Sequence, residues 1–260
     1  MGRAGRTALL ILGIALPLAG LSRTAVAGAW PEPAGETQVI FKFEDEQASS
    51  GFDPGGNRLP IPHLSDENLS VFVEHGITDR LTFQGKAGLT EGEDAFIYYH
   101  GRGPIELGLR YAIVKQPKWV VSLYLGGVYD GVGRNAGYAL PNQGNSDFEA
   151  RLLIGRALTF KGHKAFIDVE AARLVRSGLA DETHVDATFG VTVAPNWQVF
   201  LQSYNGRADS HPVAPEWSKL EASLVWKLDR WSLQAGWRQT VWGEEMPITG
   251  GPVVALWRRF

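Results

Sequence analysis

The sequence predicts an all-β protein: an antiparallel, up-and-down transmembrane β-barrel of about 12 strands, preceded by a cleaved signal peptide. Three observations carry this. Apolar and polar residues alternate with period two through most of the chain, the period of a strand with one greasy face. The alternating runs are mostly longer than the 5–6 residues common in globular strands and match the roughly 9–11 that a tilted membrane strand needs. The connections alternate between short turns and longer loops, as in outer-membrane barrels.

Residues 1–27 read as a secretory signal. Arg3 and Arg6 precede the apolar run Thr7–Leu21, and Ala25-Val26-Ala27 forms a small-x-small cleavage site. The apolar run is too short for a spanning helix, which takes roughly 20 residues. The expected mature domain is 28–260, with a net charge of −6 from 22 basic and 28 acidic residues. That balance offers no basic footprint for nucleic acid. There are no cysteines, so there is neither a disulfide framework nor thiolate chemistry. Hydrophobic residues at 44% and aromatic residues at 11% exclude a disordered chain.

The predicted strands are 36–46, 67–75, 80–89, 104–114, 118–129, 146–156, 164–175, 181–193, 197–206, 216–228, 231–242 and 249–260. In the first, Val39, Phe41 and Phe43 alternate with Gln38, Lys42 and Glu44. In the fourth, Leu107, Leu109 and Tyr111 alternate with Glu106 and Arg110. The eighth sets Val185, Ala187 and Phe189 against His184, Asp186 and Thr188. The eleventh sets Leu233 and Ala235 against Gln234. Turns such as Ala194-Pro195-Asn196 and Asp229-Arg230 are short, whereas 47–66, 90–103 and 130–145 are predicted as long loops. An even strand number brings both termini to the short-turn, periplasmic end. The last strand is then expected to pair with the first, and Phe260 to sit at the membrane interface where aromatic rings are favoured. The same reading places Trp119, Trp197, Trp217, Trp231 and Trp242 in two aromatic belts.

The polar face carries charges of both signs. Glu106, Arg110, Glu149, Arg151, Asp168, Glu170, Glu182, His184, Asp186, Lys219, Glu221 and Arg238 are the expected lumen-lining residues. A 12-stranded barrel has a backbone radius of about 12 Å, and inward side chains narrow the free passage to about 1 nm. Folded proteins are excluded; small solutes or one extended glycan chain are not. No histidine pair has metal-ligand spacing, and no GxSxG or phosphate-binding glycine loop occurs. His184, between Glu182 and Asp186, reads as part of a lumen charge network and, as the rival, as a carboxylate-supported general base. No catalytic residue, metal or cofactor is expected.

Several stretches are similar to a known family: GAWPEPAGETQVIFKF (28–43), VEHGITDRLTF (73–83), GPIELGLRY (103–111), FIDVEAARLV (166–175), DETHVDATFGVTVAPNWQVFLQS (181–203) and the closing WRRF. They resemble the XagA-like outer-membrane proteins of proteobacteria, named for autoaggregation and linked to exopolysaccharide. GITDRL and IELGLRY also resemble barrels that transport compounds for aromatic degradation. The ending is similar to the C-terminal assembly signal of outer-membrane barrels, with Arg258 where an apolar residue is usual. The resemblance implies a non-enzymatic barrel in the outer membrane of a Gram-negative bacterium. Its expected partners are outer-membrane lipids, the barrel-assembly machinery during insertion, and a small solute or polysaccharide. The first functional expectation is a passive channel or accessory protein for that solute. The alternatives are a surface adhesion scaffold with a plugged lumen and a membrane-embedded lipid or glycan enzyme.

Overall fold

The computed structural model describes residues 28–210 and 212–260; the predicted signal segment and His211 lie outside the described residues. Fourteen strands form one antiparallel sheet. They are β1 (Thr37–Phe52), β2 (Arg58–Gly76), β3 (Leu81–Glu93), β4 (Tyr98–Arg102), β5 (Ile105–Lys115), β6 (Trp119–Tyr129), β7 (Ser146–Phe160), β8 (His163–Arg176), β9 (Glu182–Ala194), β10 (Trp197–Ala208), β11 (Glu216–Leu228), β12 (Trp231–Glu244), β13 (Met246–Pro247) and β14 (Gly250–Arg259). β4 and β13 are short pieces within loops. The remaining twelve are the wall, each paired with its neighbours in chain order.

The wall closes on itself because β1 pairs on both edges. Val39 lies opposite Val73 of β2 on one side and Arg258 of β14 on the other. The Phe260 N–H donates to the Thr37 carbonyl at 2.9 Å, so the closing pair is held to its last residue. Closure removes the exposed edges that would template aggregation. Gly251 permits it: a Cβ there would lie 1.5 Å from the Asp45 carbonyl oxygen across the seam. Gly251→Ala is expected to open the β1–β14 seam at a cost on the order of 2–3 kcal/mol. The check is loss of the fast-migrating band of unboiled protein on a gel.

The outward face is apolar. Phe41, Leu69, Leu89, Leu107, Leu109, Ile113, Leu125, Ile154, Leu201, Leu220 and Trp237 are all exposed on it, Leu89 to 62%. A soluble monomer rarely shows apolar patches beyond a few hundred Å²; here they ring the whole wall, as hydrocarbon requires. The inward face is polar, with Glu74, Arg110, Glu149, Asp168, Gln198 and Glu221 all buried.

The predicted strands match the wall in number and order, and the ends differ for a physical reason. Segment 47–66 is not a long loop. β1 and β2 continue their ladder to Phe52↔Arg58, leaving only 53–57 as the turn. β14 accompanies β1 as far as Gln47↔Gly250, and the short β13 then pairs with its tip at Gly51↔Pro247 and Phe52↔Met246; on the other edge β3 leaves β2 at Ser65↔Glu93, so the hairpin continues past its last pairing with β3. Its residues there (ASSGF and RLPIPHL) lack the apolar alternation of a lipid-facing strand. Segment 90–103 is likewise partly strand, from the end of β3 and β4. The 157–163 connection shrinks to Lys161-Gly162, both at positive φ (48° and 83°), as a tight twisted hairpin turn demands.

Candidate functional site: a charged lumen and its N-terminal plug

All twelve charged residues predicted for the polar face lie on strands of the wall, on the side opposite its exposed apolar residues. Among the described residues ten of them, all but Asp168 and Asp186, are tied into ion pairs, several with partners that show in the sequence only as alternating polar residues. Arg238 on β12 donates to Glu221 on β11 (2.7 Å) and to Glu44 on β1 (2.6 Å), with Glu46 at 3.7 Å. Its guanidinium stacks 4.4 Å over the Tyr204 ring. Lys219 pairs with Glu46 at 2.6 Å, Lys42 with Glu44 at 2.9 Å, and Lys86 with Glu106 at 2.9 Å. Arg151 grips Glu149 at 2.6 Å, reaches Glu170 at 3.8 Å and lies 4.9 Å over Tyr124. Arg110 pairs with Glu74 at 2.7 Å with both side chains almost completely buried. Paired charges in a confined lumen are costly to separate, since each partner left alone keeps its desolvation penalty.

Residues 28–36, which precede the first wall strand, enter the lumen at the short-turn end. Arg110 Nη2 donates to the Trp30 carbonyl at 2.7 Å, and Ser122 Oγ to the Ala29 carbonyl at 2.6 Å. The Ala29 N–H donates to Asp168 Oδ2 at 2.8 Å, and the Glu32 N–H to Thr82 Oγ1 at 3.0 Å. Two apolar clusters face each other across this end. One comprises Phe166, Phe200, Val225, Ala255 and Trp257; the other comprises Ala29, Ala112, Val120, Tyr124 and Leu153. Trp30 packs against both. Its ring meets Phe166 edge-on at 6.0 Å and occupies the space a Gly155 side chain would fill, a Cβ there falling 2.4 Å from the indole. The segment therefore bridges β5–β7 to β8–β14 across the lumen. In the sequence GAWPEP reads only as the start of the mature chain. The one available signal was an aromatic residue outside any alternating run.

The long-loop end carries a latch. Loop 130–145 folds over the mouth, where Arg176 gathers Asp130 (3.8 Å), Asp147 (2.9 Å) and Glu182. Tyr138 Oη donates to Glu182 at 2.9 Å, Arg176 Nη2 donates to the Asn135 carbonyl at 3.0 Å, and Arg134 pairs with Asp94 across the neighbouring loop. His184 Nε2 contacts Glu182 Oε2 at 2.7 Å and its ring lies edge-on to Trp217. His184 thus joins a structural ion-pair network. Burial, and then the neighbouring Asp147 charge, pushes the Asp130 carboxyl up to about 6. With the folded value above the unfolded one, the folded loop holds an extra proton, and its docking weakens as pH rises from about 4 to about 6. Hydrogen exchange of 131–144, corrected for intrinsic rates, is expected to be slower at pH 5 than at pH 7.5. Asp130→Asn is expected to flatten that difference.

The aromatic residues divide. Trp119, Trp197, Trp231, Trp242 and Phe260 are exposed on the outer wall. Trp197 stacks on Trp226 at 5.8 Å. Arg258 lies 4.6 Å from both the Trp231 and Phe260 rings, which gives this unusual basic residue an aromatic cradle. Trp217 departs from expectation. It turns inward, 6.4 Å from Tyr138 and 5.4 Å from His184, and fills the space above Gly206. It belongs to the latch and not to a belt. Its period-two position on β11 matches Lys219 and Glu221, which already placed it on the polar side.

This fold is that of outer-membrane β-barrels. The chain resembles the COG4313 outer membrane channel from Pseudomonas putida F1, with a TM-score of 0.71 over 93% of this chain and all of that one at 12% identity. The NanC porin follows at a TM-score of 0.53 and 7% identity, over 84% of this chain and 98% of that one. The KdgM porin gives 0.51 and 8%, over 86% and 99%. At these identities the likeness is one of fold. No family model matches the chain, and no curated protein sequence matches it either.

Proposed function

We propose that this chain is a non-enzymatic channel of a Gram-negative outer membrane that passes small polar or charged solutes through a lumen restricted by its own N-terminus. The observation that supports it is the enclosed ring of paired charges between β1 and β12, interrupted at the short-turn end by the Trp30 plug. The fold likeness to a channel and two porins points the same way. In this reading the short turns face the periplasm, and lipids cover the apolar wall. The barrel-assembly machinery receives β14 with its terminal Phe260. Planar bilayers test the function: discrete conductance steps are expected from purified protein, and silence at all voltages with a correctly folded barrel would remove the channel reading.

A second reading has its own support. The β1–β2 hairpin continues past the last β2–β3 pair, Ser65↔Glu93, and loop 130–145 is latched over the mouth, surfaces suited to adhesion or to handling an exopolysaccharide strand, as the XagA-like resemblance implies. Trimming 50–60 to a tight turn is expected to abolish cell aggregation in that case while leaving conductance intact. Unchanged aggregation would exclude it.

A further inference from the structure

Gly28 stands inside the barrel. It borders a cavity of about 330 Å³ that is also lined by Asp168, Glu170 and Asp186. Its contact with Asp168 is intimate: a Cβ on Gly28 would fall 2.2 Å from Asp168 Oδ1, and its φ of +84° suits only glycine comfortably. The next N–H, that of Ala29, already donates to the same carboxylate.

Three cations, Lys42, Arg110 and Arg151, line the same cavity, and each is engaged by another group; Lys42 is committed to Glu44 at 2.9 Å. Arg110 is committed to Glu74 and to the Trp30 carbonyl, and Arg151 sits 2.6 Å from Glu149 but 3.8 Å from Glu170. Among the described residues no ion pair reaches Asp168 or Asp186. The residues before Gly28 are Ala25-Val26-Ala27, the small-x-small pattern.

We propose that cleavage of the Ala27–Gly28 bond creates the missing cation: the α-ammonium of Gly28, which pairs with Asp168 and Glu170 and locks the plug in the lumen. A signal-peptidase-class protease adds water across that peptide bond. The hydroxyl goes to the Ala27 carbonyl carbon, the C–N bond breaks, and the released Gly28 amine takes a proton. Processing therefore removes a leader and also supplies the charge that docks the segment behind it. A chain cleaved one residue earlier or later would present its amine away from the two carboxylates, or would lack the glycine that fits against them.

The test uses full-length protein extracted from outer membranes and does not depend on conductance. Intact mass and N-terminal sequencing are expected to give a chain beginning Gly-Ala-Trp-Pro. Its α-amine, probed in the folded barrel with the N-terminus-selective reagent 2-pyridinecarboxaldehyde, is expected to react roughly tenfold more slowly than in unfolded protein, the effect of one pKa unit on the free amine. Asp168→Asn and Glu170→Gln are expected to restore most of the reactivity while the unboiled barrel still migrates fast. If either variant fails to fold, protein refolded with Ala27 retained gives the same comparison, and fast labelling is expected. A different N-terminus overturns the proposal. Equal labelling rates in wild type and in the folded variants, or in the Ala27-extended barrel, do so as well.

Discussion

Removing residues 28–35 from the mature chain is expected to raise single-channel conductance on the order of threefold, in proportion to the cross-section freed in a 12-stranded barrel. The reason is where Trp30 sits. It touches both apolar clusters, and its backbone is tied to Arg110, so no wall residue needs to move for the passage to open. Two point variants separate the plug from any general loosening. Trp30→Ala removes the bridging ring but keeps the backbone bonds, and a smaller increase is expected. Gly155→Leu places a side chain where the indole lies, and it is expected to expel the segment and approach the deletion. Planar-bilayer recordings at fixed salt, with gel migration confirming closure, check all three. Unchanged conductance in all of them would show that the restriction lies elsewhere, at the latch of loop 130–145.

The second large effect concerns Arg238. Among the described residues it is the one ion-pair partner of Glu221, and it shares Glu44 and Glu46 with Lys42 and Lys219. Arg238→Met keeps much of the aliphatic volume and strands the Glu221 carboxylate, which is 2% exposed. Breaking a buried pair from one side typically costs about 3–5 kcal/mol, readable as a lower urea midpoint in detergent or lipid. The lumen also becomes more acidic, so reversal potentials in a salt gradient are expected to move toward cation selectivity. Arg238→Met with Glu221→Gln is expected to recover part of the stability, because the stranded charge is then gone. A double variant no more stable than the single one would show that Glu44 and Glu46 carry the penalty.

The wall was legible because hydrocarbon imposes a simple rule. Every second residue of a lipid-facing strand must be apolar, so Leu107, Leu109 and Tyr111 mark β5 and Leu233, Ala235 and Trp237 mark β12 without any tertiary knowledge. The same parity located the charged face, from Glu106 to Arg238. It failed where lipid stops. The tips of β1 and β2, past Gln47 and before Ser65, alternate irregularly and read as loop, although the hairpin continues to Phe52↔Arg58. Trp217 stands near a strand end, as a belt residue would, but its parity with Lys219 puts it inside.

By itself, then, the sequence determined the strand number, the order of the wall and which side chains face which solvent, since period two and loop length are local properties of the chain. Only the tertiary structure decided which charges pair, that Trp30 crosses the lumen, and that Gly28 rests against Asp168. Those contacts join residues as far apart in the chain as Glu44 and Arg238. They depend on closure of the cylinder, which brings opposite walls within reach of one side chain and leaves no imprint on the spacing of the residues concerned.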